Sequence, residues 1–83
     1  MFHVYIIKAD DEGIYIGYTS NMKRRLEQHN AGEGGYTKGR QWKLVYCESY
    51  ASKEDAMIRE KRLKQHAKSL AMLKKRIEKS MQY

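Results

Sequence analysis

The start of this chain commits it to a β-hairpin. Residues 2–8 (Phe-His-Val-Tyr-Ile-Ile-Lys) and 14–19 (Ile-Tyr-Ile-Gly-Tyr-Thr) are rich in β-branched and aromatic types. Between them, Asp10-Asp11-Glu12-Gly13 is a polar turn ending on glycine. Side chains alternate across a strand, so residue parity separates two faces. Val4, Ile6, Ile14 and Ile16 make one face wholly aliphatic, the natural core face. The other carries His3, Tyr5, Tyr15 and Gly17. A register that keeps parity and sets Tyr5 opposite Gly17 also sets Tyr15 opposite Ile7. The two phenols then lie on a diagonal, beside a gap with no side chain. A glycine inside a strand often marks close approach by backbone or ligand.

The rest of the chain continues in short elements. Ser20 or Asn21 can cap a helix over Met22–Ala31, with Met22 and Leu26 inward and Asn30 and Gly32 as its stop. Residues 32–41 hold four glycines and form a loop. A third strand covers Trp42–Tyr50, with Leu44 and Tyr46 on one face and Val45 and Cys47 on the other. Ser52-Lys53-Glu54-Asp55 is a capping-box start. From there to Ser80 the apolar residues Ala56, Leu63, Ala67, Leu70, Leu73, Ile77 and Met81 recur at helical steps, with a break allowed near 66–69. The order β-β-α-β-α(-α) makes a small α/β (α+β) fold with a three-stranded sheet and an antiparallel hairpin.

Size and charge narrow the options. At 83 residues the chain has room for one core, so 1–83 is read as a single domain. The longest apolar runs, Val4–Ile7 and Leu70–Leu73, are too short for a membrane span or a secretory signal. A lone Cys47 excludes an internal disulfide and suits a reducing, cytoplasmic setting. The net charge of +7 is uneven. Residues 59–79 contain nine basic residues and two acids, which accounts for all of it. A basic stripe on one element is the electrostatic footprint of a nucleic-acid binder, although a solvated lysine-rich helix face has the same composition.

Three groups of residues could carry chemistry. Seven tyrosines against one phenylalanine imply hydroxyls with partners or tasks, and Tyr5 and Tyr15 share a face. Arg25 and His29 are one helical turn apart; the first offers a fork for phosphate oxygens, the second a proton donor or acceptor. Glu60 falls on or beside the apolar stripe of the long helix, amid basic residues. An inward carboxylate needs an ion pair, a hydrogen-bond network or a metal ion. An internal salt bridge, for instance to Arg25, satisfies the same need. Cys47 has no adjacent base and is expected to pack in the third strand. There is no P-loop, dinucleotide fingerprint or zinc motif.

Taken together, Val4-Tyr5-Ile6, Tyr15-Ile16-Gly17-Tyr18-Thr19, Arg25 with Leu26, His29 and Asn30, and Arg59-Glu60-Lys61 resemble the GIY-YIG nuclease superfamily. The resemblance is closest to small stand-alone bacterial members, similar to the nuclease domain that begins the bacterial excision-repair endonucleases. It covers nearly the whole chain. It implies a three-stranded antiparallel sheet flanked by helices, and hydrolysis of DNA phosphodiesters with one divalent metal, Mg²⁺ or Mn²⁺. By resemblance, Tyr5 is the first-motif tyrosine and general base, Tyr15 the second tyrosine, Arg25 the phosphate grip with His29 assisting, and Glu60 the metal ligand. Gly17 is the close-approach glycine. On this reading a hydrogen bond from Tyr15, Arg25 and the metal together lower the pKa of Tyr5. Lys38, Arg40, Lys43, Lys61, Arg62, Lys64 and Lys68 would hold flanking DNA phosphates, and RNA remains an alternative strand. The first motif begins with Val4 in place of glycine, and the only asparagines, Asn21 and Asn30, precede Glu60. A nuclease this small is expected to take its specificity from an added domain or a partner protein. The rival readings are a nucleic-acid-binding module without turnover, and a structural or protein-interaction domain.

Overall fold

The computed structural model describes residues 1–83. Strands β1 (Phe2–Ala9) and β2 (Ile14–Thr19) form the expected hairpin, followed by helix α1 (Met22–Asn30), strand β3 (Trp42–Tyr50), and helices α2 (Lys53–Gln65) and α3 (Ala67–Arg76). A short 3₁₀ turn covers Ser80–Gln82. All strands pair antiparallel in the order β2-β1-β3, an α+β sheet. No helix is long and apolar enough to cross a membrane.

The hairpin register is the one that parity implies: Tyr5 pairs with Gly17 and Ile7 with Tyr15. The Ala9 amide closes the turn on the Gly13 carbonyl at 2.8 Å, and Asp11 accepts from the Gly13 amide. As the central strand, β1 is covered on both sides. Its even residues Val4 and Ile6 join Ile16 against Ala56, Leu63 and Leu73 of α2 and α3. Its odd residues Tyr5, Ile7 and Ala9 join Trp42 and are covered by Tyr15 and, from α1, by Met22 and Leu26. The tyrosine-bearing face is therefore a second core.

Asn21 is the helix cap, accepting from the Arg24 amide at 3.1 Å, and Ser52 caps α2 on the Asp55 amide. The allowed break falls at His66, whose extended backbone separates α2 from α3. It also shifts the helical frame, so Ala67 is exposed instead of inward, while Leu73 stays buried. The last helix ends at Arg76, short of Ser80.

Strand β3 departs from simple alternation. Ile6 pairs with Tyr46 but Ile7 pairs with Leu44, so one extra residue, Val45, bulges between them. Leu44 and Tyr46 consequently face opposite sides, and Val45 packs with the aliphatic core. Cys47 lies opposite Tyr5 at the sheet edge and is exposed, not packed.

Candidate active site

The site is assembled on the odd face of β1, where the backbone aims Tyr5 at α1. A Cβ on Gly17 would stand 2.5 Å from the Tyr5 hydroxyl oxygen and 2.7 Å from its ring carbon Cζ. The gap at Gly17 is thus filled by the phenol of its own pairing partner. Glycine lets the ring lie flat across β2.

The Tyr5 hydroxyl reaches Nε2 of His29 at 2.7 Å. His29 is fully buried, and its Nδ1 lies 2.9 Å from the Thr37 hydroxyl oxygen. Thr37 is also fully buried and donates to the Gly34 carbonyl at 3.4 Å. That donation leaves the threonine oxygen free to accept from Nδ1–H. Nε2 is then the bare nitrogen, and Tyr5 donates to it. A directed line of hydrogen bonds runs Tyr5, His29, Thr37, Gly34 carbonyl.

The loop that supplies Thr37 is held from outside. Asn30 at the end of α1 donates to the Trp42 carbonyl at 3.1 Å and accepts from the Trp42 amide at 2.6 Å. The Trp42 indole donates to the Thr37 carbonyl at 2.9 Å. Gly34 has no room for a side chain, because a Cβ would collide with the Thr37 hydroxyl. Thr37 carries no periodic or motif signal, so sequence reasoning missed it. Asn30 stood out as a helix stop, but its hold on β3 is a tertiary fact.

Burial decides the electrostatics. The Tyr5 pKa is pushed up to about 12, first by burial, with the charges of Tyr15 and Glu60 adding to it; Arg25 beside it opposes the rise. The expected lowering does not occur in the protein alone, because desolvation outweighs the guanidinium. Nor does Tyr15 provide the hydrogen bond: the Tyr5 hydroxyl is engaged by His29, and Tyr15 meets Tyr5 through its ring, centroids 6.4 Å apart. His29 is held below the ordinary histidine value by burial, then by Arg25. The resting pair is a neutral phenol and a neutral imidazole.

Arg25 is half-buried on α1, steadied by Gln28 at 3.0 Å. His29 lies one turn further along the same helix and points inward to Tyr5, which Arg25 approaches as well. Glu60 of α2 is only 19% exposed and pairs with Lys64, one turn on, at 3.5 Å; its ion-pair partner is not Arg25. The Lys64 ammonium also lies 5.3 Å from the Tyr15 ring centroid. Tyr5, Tyr15, Arg25, His29 and Glu60 therefore converge from β1, β2, α1 and α2. No group of three or more His, Cys, Asp or Glu could hold a metal by itself. Glu60 offers one hard carboxylate donor, and a divalent ion there would need phosphate oxygens and water to complete its shell.

The outlying basic residues differ in their freedom. Lys38, Lys43, Lys61, Arg62, Lys64 and Lys68 are exposed. Arg40 is engaged: it pairs with Asp11 at 3.3 Å and lies 4.8 Å over the Tyr36 ring. Arg59 is likewise held by Glu48 at 2.7 Å.

Residues 1–76 match the family model described as the GIY-YIG catalytic domain. A UPF0213 protein of Halobacterium salinarum is 49% identical over 67 residues, covering 78% of this chain and 87% of its own length. A UPF0213 protein of Staphylococcus haemolyticus is 48% identical over 64 residues, covering 75% of this chain and 78% of its own. The solution NMR structure of the UPF0213 protein BH0048 from Bacillus halodurans has 36% sequence identity and a TM-score of 0.54, over 88% of this chain and 83% of that one. The strand pair that carries Tyr5 and Tyr15, and the helices that bring Arg25 and Glu60 to them, lie within the matched region, and the chain belongs to the GIY-YIG nuclease family.

Proposed function

We propose that this protein is a metal-dependent endonuclease that hydrolyses DNA phosphodiester bonds at the Tyr5, Tyr15, Arg25, His29 and Glu60 site. The observation that carries this reading is the buried line from the Tyr5 hydroxyl through His29 to Thr37, with 2.7 and 2.9 Å links, flanked by Arg25 and Glu60.

A phenol held at about 12 is a poor base unless its own proton has somewhere to go. His29 Nε2 supplies that place. As a water attacks phosphorus, Tyr5 takes the water's proton and passes its own to Nε2. The water O–H bond breaks, the new P–O bond forms and the P–O bond to the leaving sugar oxygen breaks; Tyr5 ends neutral, His29 becomes an imidazolium, and the leaving oxygen takes its proton from solvent. Thr37 holds Nδ1–H throughout, which fixes the tautomer that keeps Nε2 open. Arg25 grips a non-bridging phosphate oxygen, where negative charge grows in the transition state. Glu60 would hold Mg²⁺ or Mn²⁺ after releasing Lys64, and the ion, when bound, would stabilise charge on the phosphate and the leaving oxygen. Tyr15 walls the site and keeps Tyr5 in place. Lys38, Lys43, Lys61, Arg62, Lys64 and Lys68 contact flanking phosphates.

The test is a cleavage panel of single-stranded, duplex and branched DNA with Mg²⁺ or Mn²⁺. Wild type should cut; Tyr5→Phe, Arg25→Ala and Glu60→Ala should each lose cutting and keep most DNA binding. Cutting that survives in the triple variant places the chemistry elsewhere. Salt-sensitive binding without cutting by wild type leaves the non-catalytic binding module in its place.

A further inference from the structure

One feature beside the site is used by none of the chemistry above. Tyr36 is a large aromatic residue that is 58% exposed, yet it is not loosely held. Its ring stacks on Tyr15, with centroids 6.1 Å apart and planes 24° apart. The Arg40 guanidinium lies 4.8 Å over the ring, and Asp11 anchors Arg40 at 3.3 Å. Trp42 supports it further, at 6.3 Å. These contacts hold an exposed phenol ring in one orientation at the edge of a groove.

A groove of about 310 Å³ opens beside it. Tyr15 and Tyr36 line it together with the aliphatic Ile14, Leu63 and Leu70. Lys64 is the one charged residue in the lining, and Lys68 is exposed on the next helix. Apolar walls, an aromatic face and a cation at the edge match a nucleobase with its phosphate. Tyr15 belongs to both the groove and the catalytic cluster, so the groove is continuous with the cutting site.

We propose that this groove holds one unstacked nucleobase, next to the phosphate being cut, so that the preferred substrate is a single-stranded or locally unpaired strand. The proposal rests on the nuclease reading above and deepens it. A base inside a duplex has both faces covered by its neighbours and cannot enter; it must already be unpaired or be turned out. Packing against the Tyr15 and Tyr36 rings and the aliphatic lining replaces the lost base stacking. Lys64 then meets the phosphate of the same nucleotide. Stacking is nearly indifferent to base identity, which makes the groove a reader of strand structure and not of sequence.

The experiment is fluorescence-anisotropy titration of the full chain, without divalent metal, against a labelled single-stranded oligonucleotide and its duplex. Wild type should bind the single strand more tightly. Tyr36→Ala should weaken single-strand binding about tenfold, the size of one lost base–aromatic stack, and leave duplex binding within about twofold. The salt slope should stay the same, because no phosphate contact is removed. Tyr36→Phe, which keeps the ring, should restore binding. Equal losses on both strands, or a changed salt slope, overturn the groove as a base site. Unchanged affinity for both also overturns it, and leaves an apolar side chain of a partner protein as the occupant. If wild type binds neither strand even at low salt, the nucleic-acid reading itself falls, and the base site with it.

Discussion

The two faces of β1 show how one strand can serve two purposes. Both are buried, since Val4, Tyr5, Ile6 and Ile7 are all inaccessible in succession. On the even face only shape matters. Val4, Ile6 and Ile16 meet Ala56, Leu63 and Leu73, with no polar side chain among them. On the odd face Tyr5 ends in a line of hydrogen bonds through His29 and Thr37. A buried polar network is stable only when every member is satisfied, so this face is constrained atom by atom. The even face tolerates chemical change that keeps its volume. The odd face should not tolerate loss of one oxygen. The sheet thus separates an aliphatic face from a hydrogen-bonded polar face by a single residue step.

The sharpest break of that contrast is Tyr5→Phe. It keeps the ring and removes one oxygen, and should lower cleavage by about 10²–10⁴-fold, the range for a lost general base. Urea unfolding should register only about 1–3 kcal/mol, from the unpaired Nε2. A cleavage loss below about tenfold would make the two faces alike. The mirror experiment is Leu73→Ala on the aliphatic side, a buried residue that does not line the groove beside Tyr36. It should cost about 2–5 kcal/mol in urea unfolding, a large share of a small domain's stability. Cleavage at a temperature where the variant is folded should stay near wild type.

A smaller effect is expected at Gly17→Ala. The new methyl meets the Tyr5 hydroxyl at 2.5 Å and must displace the phenol, because β2 cannot retreat from its pairing with β1. About 1–3 kcal/mol of destabilisation should accompany a loss of cleavage. Retention of full activity would show that Tyr5 does not need to lie where it does. Thr37→Val tests the far end of the line. Removing the acceptor for Nδ1–H should cost about 1 kcal/mol and free the imidazole to take the other tautomer. Cleavage should fall, most clearly in kcat, with DNA affinity unchanged.

The smallest effect is the response to acid. The folded His29 pKa lies below the ordinary 6.5 of the unfolded chain. As pH falls through 6.5, the unfolded histidine binds a proton and the folded one does not. Its contribution to stability is therefore complete above that point and declines as pH falls toward the folded value. On the proposed mechanism cleavage should follow the same group, since a protonated Nε2 cannot take the Tyr5 proton. The acid limb of the rate profile should lie below 6.5, and a midpoint above it would contradict a buried, depressed histidine.

Much of this was legible in the chain before any fold was known. Alternation in residues 2–8 and 14–19 sets the hairpin register, because slipping by one residue would turn every isoleucine of the aliphatic face outward. Ser52 and the break near residue 66 are local signals, and local hydrogen bonds and caps act over a few residues. The bulge at Val45 was not legible, since it depends on how β3 must bend to follow β1. The same holds for Cys47, whose exposure depends on the edge position of β3.

The candidate site divides in the same way. Residue types and spacing, read with the family resemblance, pick out Tyr5, Tyr15, Arg25, His29 and Glu60, and the fold brings these five together. Their relations were a tertiary matter. Spacing places Arg25 and His29 one turn apart on α1, but only the packing of α1 on the sheet turns His29 inward to Tyr5. Only the closure of the 32–41 loop brings Thr37 to its other nitrogen. The pKa of Tyr5 likewise follows from how much water the folded chain removes from it, set against Arg25. The amino-acid sequence by itself determined which groups were present and which face of the hairpin they occupied, because alternation and helical period are properties of the local backbone. Tertiary structure alone decided which group gives its proton to which, because burial and hydrogen-bond partners arise only between elements far apart in the chain.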